Sequence, residues 1–154
     1  MATNPDSKVA LVIGAGNATG GAIAKRFAAG GSAHGFGSDA RKEDDVIALV
    51  EQIEREVGPI DVLVFNIGAN VPCSVLDETA RKYFKVWEMA YFGGFLNGRE
   101  VAKRMVTRGR GTLIFTGATA ALRGAANFAA FAGAKHALRA LAQSMSRELG
   151  PQGV

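Results

Sequence analysis

VALVIGAGNATGGAIA, residues 9–24, is the stretch on which the reading of the whole chain turns. The run Val9 to Ile13 is apolar and rich in β-branched residues; glycines follow at 14, 16, 20 and 21, and a helical pattern begins at Ala22. The order is strand, tight turn, helix. Glycine tolerates positive φ and lets another molecule approach the backbone, while a helix start offers unpaired N–H groups and the positive end of its dipole. Together these make a pocket for phosphate. Gly14, Gly16 and Gly20 are spaced G-x-G-x-x-x-G, one residue longer than the dinucleotide fingerprint G-x-G-x-x-G. Glycines that only form a strand-to-helix turn would look the same, so the stretch alone leaves both readings open.

Outward from it, Ala22 to Ala29 reads as a helix with Ile23 and Phe27 on one face, closed by Gly30-Gly31. A short strand is expected at about Ala33 to Ser38, where Phe36 is the one bulky apolar residue between Gly35 and Gly37. Val46, Ile47, Val50, Ile53 and Val57 recur at helical spacing after Glu43, Asp44 and Asp45, and Gly58-Pro59 stops that helix. Ile60 to Asn66 is a continuous apolar run, as in a strand buried on both faces, followed by a loop at Ile67 to Asn70. A long helical region from Glu78 to Val106 is too apolar for a single buried face. Its aromatic residues are expected to serve both the core and a contact with a second subunit. Thr112 to Thr116 is a further strand and Asn127 to Leu149 a last helix. Strands alternating with helices imply parallel pairing, hence a doubly wound α/β sheet of about four strands with its ligand crevice at their carboxyl ends.

The chain has 154 residues, which suits one domain (8–154) behind a polar leader, residues 1–7. No run of about 18 apolar residues suggests a membrane span, and the start MATNPDSK has no signal-peptide pattern. The lone Cys73 excludes an internal disulfide framework, so a cytoplasmic setting is expected. His34, His136 and Cys73 lie too far apart in sequence for a metal cluster. The net charge is +4, and from residue 61 onward there are 12 Lys and Arg against 6 Asp and Glu. The densest basic patch, Arg99, Lys103, Arg104, Arg108 and Arg110, falls where the long helix ends and reads as a solvated helix end rather than a nucleic-acid surface.

Four segments in order resemble the short-chain dehydrogenase/reductase family: the glycine stretch, Asn66-Ile67-Gly68-Ala69 (Asn-Asn-Ala-Gly in the family), the strand Gly111 to Gly117, and Phe131-x-x-x-Lys135 (Tyr-x-x-x-Lys in the family). The resemblance runs through nearly the whole chain after the first seven residues. It implies a Rossmann-type domain, incomplete relative to the family, that binds NAD or NADP through Gly14, Gly16, Asn17, Gly20, Asp39, Asn66, Gly68 and Lys135. The implied ancestral reaction is hydride transfer between a small carbonyl or alcohol and the nicotinamide. The implied partner is a second copy of the chain, held through the long helices.

The family's catalytic groups are a tyrosine acid/base, a lysine on the nicotinamide ribose, a serine that polarises the carbonyl and a helical asparagine in a proton relay. Here the lysine position alone is retained, as Lys135; Phe131, Ala118 and Ala90 occupy the other three. General acid/base catalysis supplies about 10²- to 10⁴-fold, and phenylalanine has no proton to give. Thr116 and Thr119 flank Ala118 and are expected to be structural, as are His34 and a surface His136. Cys73 lies in the loop after Gly68 and is a candidate for lining a substrate pocket.

Length is a second departure. Between the first helix and Ala33 the family has another strand and helix, and beyond Val154 it has two further strands and the segment that covers the substrate, so the chain looks internally deleted and truncated. Asp39, 19 residues beyond Gly20, is a candidate ribose-binding acid favouring NAD; Arg41 would instead favour NADP. The expectation is a nucleotide-binding oxidoreductase relative of doubtful activity. The alternatives are a non-catalytic binding or scaffolding protein and a fragment without independent function.

Overall fold

The computed structural model describes residues 8–29 and 31–154; the expected leader and Gly30 lie outside them. Strand β1 (Val9–Ile13) pairs in parallel with β2 (Ile60–Phe65), and β2 pairs in parallel with β3 (Thr112–Phe115). The order is β1-β2-β3, with Leu11, Leu63 and Leu113 level across the sheet. Helix α1 (Thr19–Ala28) follows β1 and α2 (Glu43–Glu56) precedes β2. Between β2 and β3 lies one long helical run made of α3 (Ala80–Trp87), a π turn (Glu88–Phe92) and α4 (Gly93–Arg108). Helix α5 (Ala129–Leu149) comes after β3. The chain has the expected α/β architecture with a parallel sheet.

The expected fourth strand does not form: among the described residues the sheet has three strands, and residues 31–39 carry no regular structure. A strand needs a neighbour to take its backbone hydrogen bonds and side chains to anchor it, and this segment offers Phe36 between two glycines. It is tied down otherwise. Phe36 packs against the main core, and the buried Asn97 of α4 donates from Nδ2 to Ala40 O at 3.2 Å and to Gly93 O at 2.8 Å.

The core lies on one side of the sheet. Alternate strand residues Leu63, Phe65, Leu113 and Phe115 meet Leu49, Val50 and Ile53 of α2, Val101 and Met105 of α4, and Leu138 of α5. Small residues on α4 admit bulky neighbours: a Cβ at Gly98 would stand 2.9 Å from the Phe115 ring, and one at Gly94 would stand 2.7 Å from Leu138 and 3.2 Å from the Phe65 ring. Helix α1 contributes nothing to this cluster. Gly20 is its one buried residue, and Phe27, expected on the apolar face, is 49% exposed.

The basic patch is not free in solvent. Arg99 pairs with Glu43, Arg104 with Glu51 at 3.6 Å, and Arg108 with Glu54 at 2.9 Å, so the basic edge of α4 meets the acidic edge of α2 at three points along its length. Arg108 also donates to Ile60 O at 2.7 Å, and Glu54 accepts from Ile60 N at 2.8 Å, which fixes the start of β2. Arg110 is 72% exposed and only 3.6 Å from Asp61. Arg108→Met is therefore expected to lower stability by about 1–2 kcal/mol in urea melts, since it strips a backbone carbonyl and a carboxylate together. Arg110→Met is expected to cost less than about 0.5 kcal/mol.

Candidate active site

All three parallel strands end on one edge, where the glycine turn, the loop after β2 and the loop after β3 converge. Gly14 opens the first turn at φ 84°, a conformation that side chains other than glycine rarely adopt. Helix α1 begins with Ala18 as its N-cap, with no side-chain cap and no acid in its first turn. Helices commonly recruit Ser, Thr, Asp or Asn there, and replacing such a cap by alanine costs about 1 kcal/mol. The first-turn amides of α1 therefore keep their donors for an anion. Gly16 has nothing within 4 Å of where its Cβ would stand, so this side of the turn is open to a ligand.

A cavity of about 620 Å³ occupies the edge, within the range of small-molecule sites. Its walls bring together Gly14, Gly16, Asn17 and Gly20 from the first turn, Asn66 and Gly68 from the loop after β2, and Phe131 and Lys135 from α5. Ala18, Thr19, Ile67, Asn70, Thr116 and Gly117 also line it. The sequence reading did not assign these six to the cofactor; their shared signal is position, since each lies just beyond a strand end.

Lys135 is 3% exposed. Its Nζ donates to Ile67 O at 3.2 Å and Thr116 O at 2.8 Å, so one ammonium group ties together the loops after β2 and β3. Burial pushes this ammonium below the usual lysine range. Phe131 lies one helical turn earlier with its ring centroid 5.9 Å from Nζ, and packs with Ala69 and Tyr91 on a small cluster of Val86, Ala90, Ala130 and Ala134. Ala90 is fully buried in the π turn, and neither it nor Ala118 lines the cavity. Among the described lining residues, Lys135 is the one with an ionisable side chain.

Asp39 is not brought into this cavity. Its carboxylate is clamped by Arg41, which donates from Nε at 2.8 Å and from Nη2 at 2.6 Å, and Arg41 also reaches Glu88 at 3.7 Å. Cys73 is half-buried and outside the lining, its amide bonded to Asn127 O. His136 is exposed on α5 with Nδ1 2.9 Å from Ala132 O, and His34 is exposed beside Phe36. No group of three or more His, Cys, Asp or Glu is placed to hold a metal among the described residues.

The family model described as short chain dehydrogenase matches residues 28–154. The chain belongs to the short-chain dehydrogenase/reductase family. This match begins after the glycine turn, so the turn's geometry and the family match are separate observations. A short-chain dehydrogenase from Rhodopseudomonas palustris is 48% identical with a TM-score of 0.78, over 86% of this chain and 63% of that one. The 3-oxoacyl-[acyl-carrier-protein] reductase MabA of Mycobacterium avium is 31% identical over 164 aligned residues, covering 96% of this chain and 64% of the relative. That alignment is longer than the 154-residue chain, so the relative carries residues within the matched span that this short-chain dehydrogenase/reductase lacks. A gluconate 5-dehydrogenase from Burkholderia cenocepacia, solved in complex with NADP and tartrate, shares the fold at 22% identity with a TM-score of 0.89, over 96% of this chain and 68% of that one. The chain spans 41–67% of the length of curated relatives that it matches. Members of this oxidoreductase family bind NAD(P).

The Asp39–Arg41 clamp yields a pH prediction. The Arg41 guanidinium holds the Asp39 carboxyl at about 2, below its ordinary 3.8. A lowered folded-state value stabilises the fold above the unfolded value, and the contribution fades as pH falls from about 4 to about 2. Arg41→Met is expected to return the Asp39 midpoint to the ordinary carboxylate range near 3.9, read by carboxyl NMR titration.

Proposed function

We propose that this chain binds NAD or NADP across the strand-end cavity and that its reaction class is hydride transfer between the nicotinamide and a small carbonyl or alcohol. The observation that carries the reading is the convergence in one cavity of the uncapped start of α1 with Asn66, Gly68 and the buried Lys135. The open side of Gly16 and the free first-turn amides suit a pyrophosphate, and Lys135, Asn66 and Gly68 suit a ribose and its attached ring. Bound there, the dinucleotide supplies a hydride donor or acceptor. The chain's own part is to orient it by backbone amides and the Lys135 ammonium, and to close the far wall with the Phe131 ring. Asp39 is already engaged by Arg41, so a preference between NAD and NADP would need this pair to open.

The substrate side supports a second reading, a non-catalytic nucleotide-binding protein. Phe131 brings no hydroxyl to the cavity, and the positions of the family's serine and asparagine are held by Ala118 and Ala90. In either case the partner surface is the row Phe84, Trp87, Phe92 and Phe95, in which Trp87 stacks on Phe84 and Phe92, Phe92 meets Phe95 at a tilt, and Arg99 lies over Phe95 at 5.1 Å; Phe84 is 57% exposed. A homo-oligomer through this helix would cover it. The pairing of α4 with α2 weighs against nucleic acid as a partner, and no helix among the described residues is long and apolar enough to cross a membrane. A cytoplasmic setting fits both readings.

Calorimetric titration of the folded chain with NADH and NADPH separately tests the cofactor reading, with saturable binding by at least one expected; its absence in a protein folded by circular dichroism would sink it. The double replacement Phe131→Tyr with Ala118→Ser separates the two functions. For a hydride-transfer site, reduction of simple aldehydes is expected to rise about 10²-fold or more. A binding protein without substrate space would show no gain.

A further inference from the structure

The cavity is one-sided. Its described walls come from the glycine turn with the start of α1, from the loops after β2 and β3, and from α5; none of residues 31–42, which lead from α1 into α2, takes part. In dinucleotide sites of this fold class an acid about twenty residues past the glycine turn takes the hydroxyls of the adenosine ribose, or an arginine nearby takes a 2′-phosphate. The residues at that distance here are Asp39 and Arg41, and they take each other. Arg41 closes on both carboxylate oxygens, from Nε to Oδ1 at 2.8 Å and from Nη2 to Oδ2 at 2.6 Å, while its own amide donates to Oδ1 at 3.1 Å. A two-pronged charged pair of this kind is among the stronger side-chain contacts.

The backbone that carries the pair is pinned to the helices. Asp39 N donates to Asp45 Oδ2 at 3.4 Å, and Ser38 Oγ donates to Asp45 O at 3.3 Å. Ala40 O accepts from Asn97 at 3.2 Å and lies 3.1 Å from where a Cβ on Gly93 would stand. A ligand at the glycine turn would have to draw this segment off α2 and α4 to engage either charge. Glu88 stands 3.7 Å from Arg41 Nη1, so a 2′-phosphate would compete with two carboxylates for one guanidinium. The cations of α1, Lys25 and Arg26, belong to its last turn, at the end away from the cavity.

Resting on the dinucleotide-binding reading above, we propose that the site reads its cofactor at the pyrophosphate and the nicotinamide ribose and leaves the adenosine end unread, so that NADH and NADPH are the same ligand to this chain. The Asp39–Arg41 pair cancels the choice: the acid that would prefer a free 2′-hydroxyl and the guanidinium that would prefer a 2′-phosphate are each other's partner. A hydrogen bond to a charged group is worth about 10- to 10²-fold in affinity, and that is the preference the closed pair withholds.

The test titrates the full chain with NADH, NADPH and deamino-NADH, in which hypoxanthine replaces adenine, and follows bound NADPH by ³¹P NMR. The three dissociation constants are expected to agree within about 3-fold, and Arg41→Met is expected to keep the NADPH-to-NADH ratio within about 2-fold of the parent's. The pyrophosphate resonances are expected to shift on binding, while the 2′-phosphate goes on titrating near ~6, as in free NADPH. A preference of about tenfold or more for either dinucleotide, a loss of that size with deamino-NADH, or a 2′-phosphate whose titration moves on binding each overturns the proposal. Arg41→Met that weakens NADPH alone overturns it too, by making Arg41 the reader. The parent chain's affinities and phosphorus spectra decide the matter even if the variant does not fold. A parent chain, folded by circular dichroism, that binds none of the three defeats the cofactor reading and this proposal with it, whereas unequal binding defeats this proposal alone.

Discussion

At Gly20 the first helix, the first turn and the end of the second strand meet in the space of one missing methyl group. A Cβ there would lie 2.0 Å from Gly14 O and 2.8 Å from Asn66 Nδ2. Backbone cannot yield by that much, so the approach of α1 to the strand ends depends on this glycine. Gly21 repeats the constraint one residue on, where a Cβ would stand 2.2 Å from Gly16 O. Because α1 sits so close, its first amides open directly onto the loop after β2, and Asn66, whose own amide bonds to Ile13 O, holds the other wall. The cavity is thus a product of close packing around the turn.

The opposite wall is built from a charge. Burying an ammonium group is costly unless its protons are bonded, and the carbonyls of Ile67 and Thr116 bond two of them. These contacts join the loops after β2 and β3, so the residue that gives the cavity its charge also helps to set its shape. Beside it the Phe131 ring packs on the alanine-rich contact between α5 and the π turn, and the polar groups of the remaining described lining are asparagine amides, threonine hydroxyls and backbone.

Much of the fold is legible in sequence because it rests on local pattern. The three strands appear as short apolar runs, and α2 as a helical repeat with acids in its first turn. The features that escaped depend on distant partners. Residues 33–38 look strand-like but have no neighbour to pair with, while the Asn97 contact that anchors Ala40 spans 57 residues. Helix α1 starts at Thr19 rather than Ala22, because Gly20 and Gly21 serve packing there and disguise the first turn. The π turn at 88–92 hides inside a continuous helical pattern. The basic end of α4 reads as solvated until α2, some fifty residues earlier, supplies its acids. In the site, seven of the eight expected cofactor contacts reach the cavity walls. Asp39 stands out by its distance from Gly20, and a count along the chain does not reveal that Arg41, two residues on, already holds the carboxylate.

The central claim is that the uncapped first turn of α1 is an anion site completed by a dinucleotide. Amide hydrogen exchange across residues 16–21, with and without saturating NADPH, tests it most directly. The account predicts exchange that is fast in the free chain and slows at least tenfold at Thr19, Gly20 and Gly21 on binding. NADPH binding that leaves these amides unprotected while protecting other parts of the chain would contradict it.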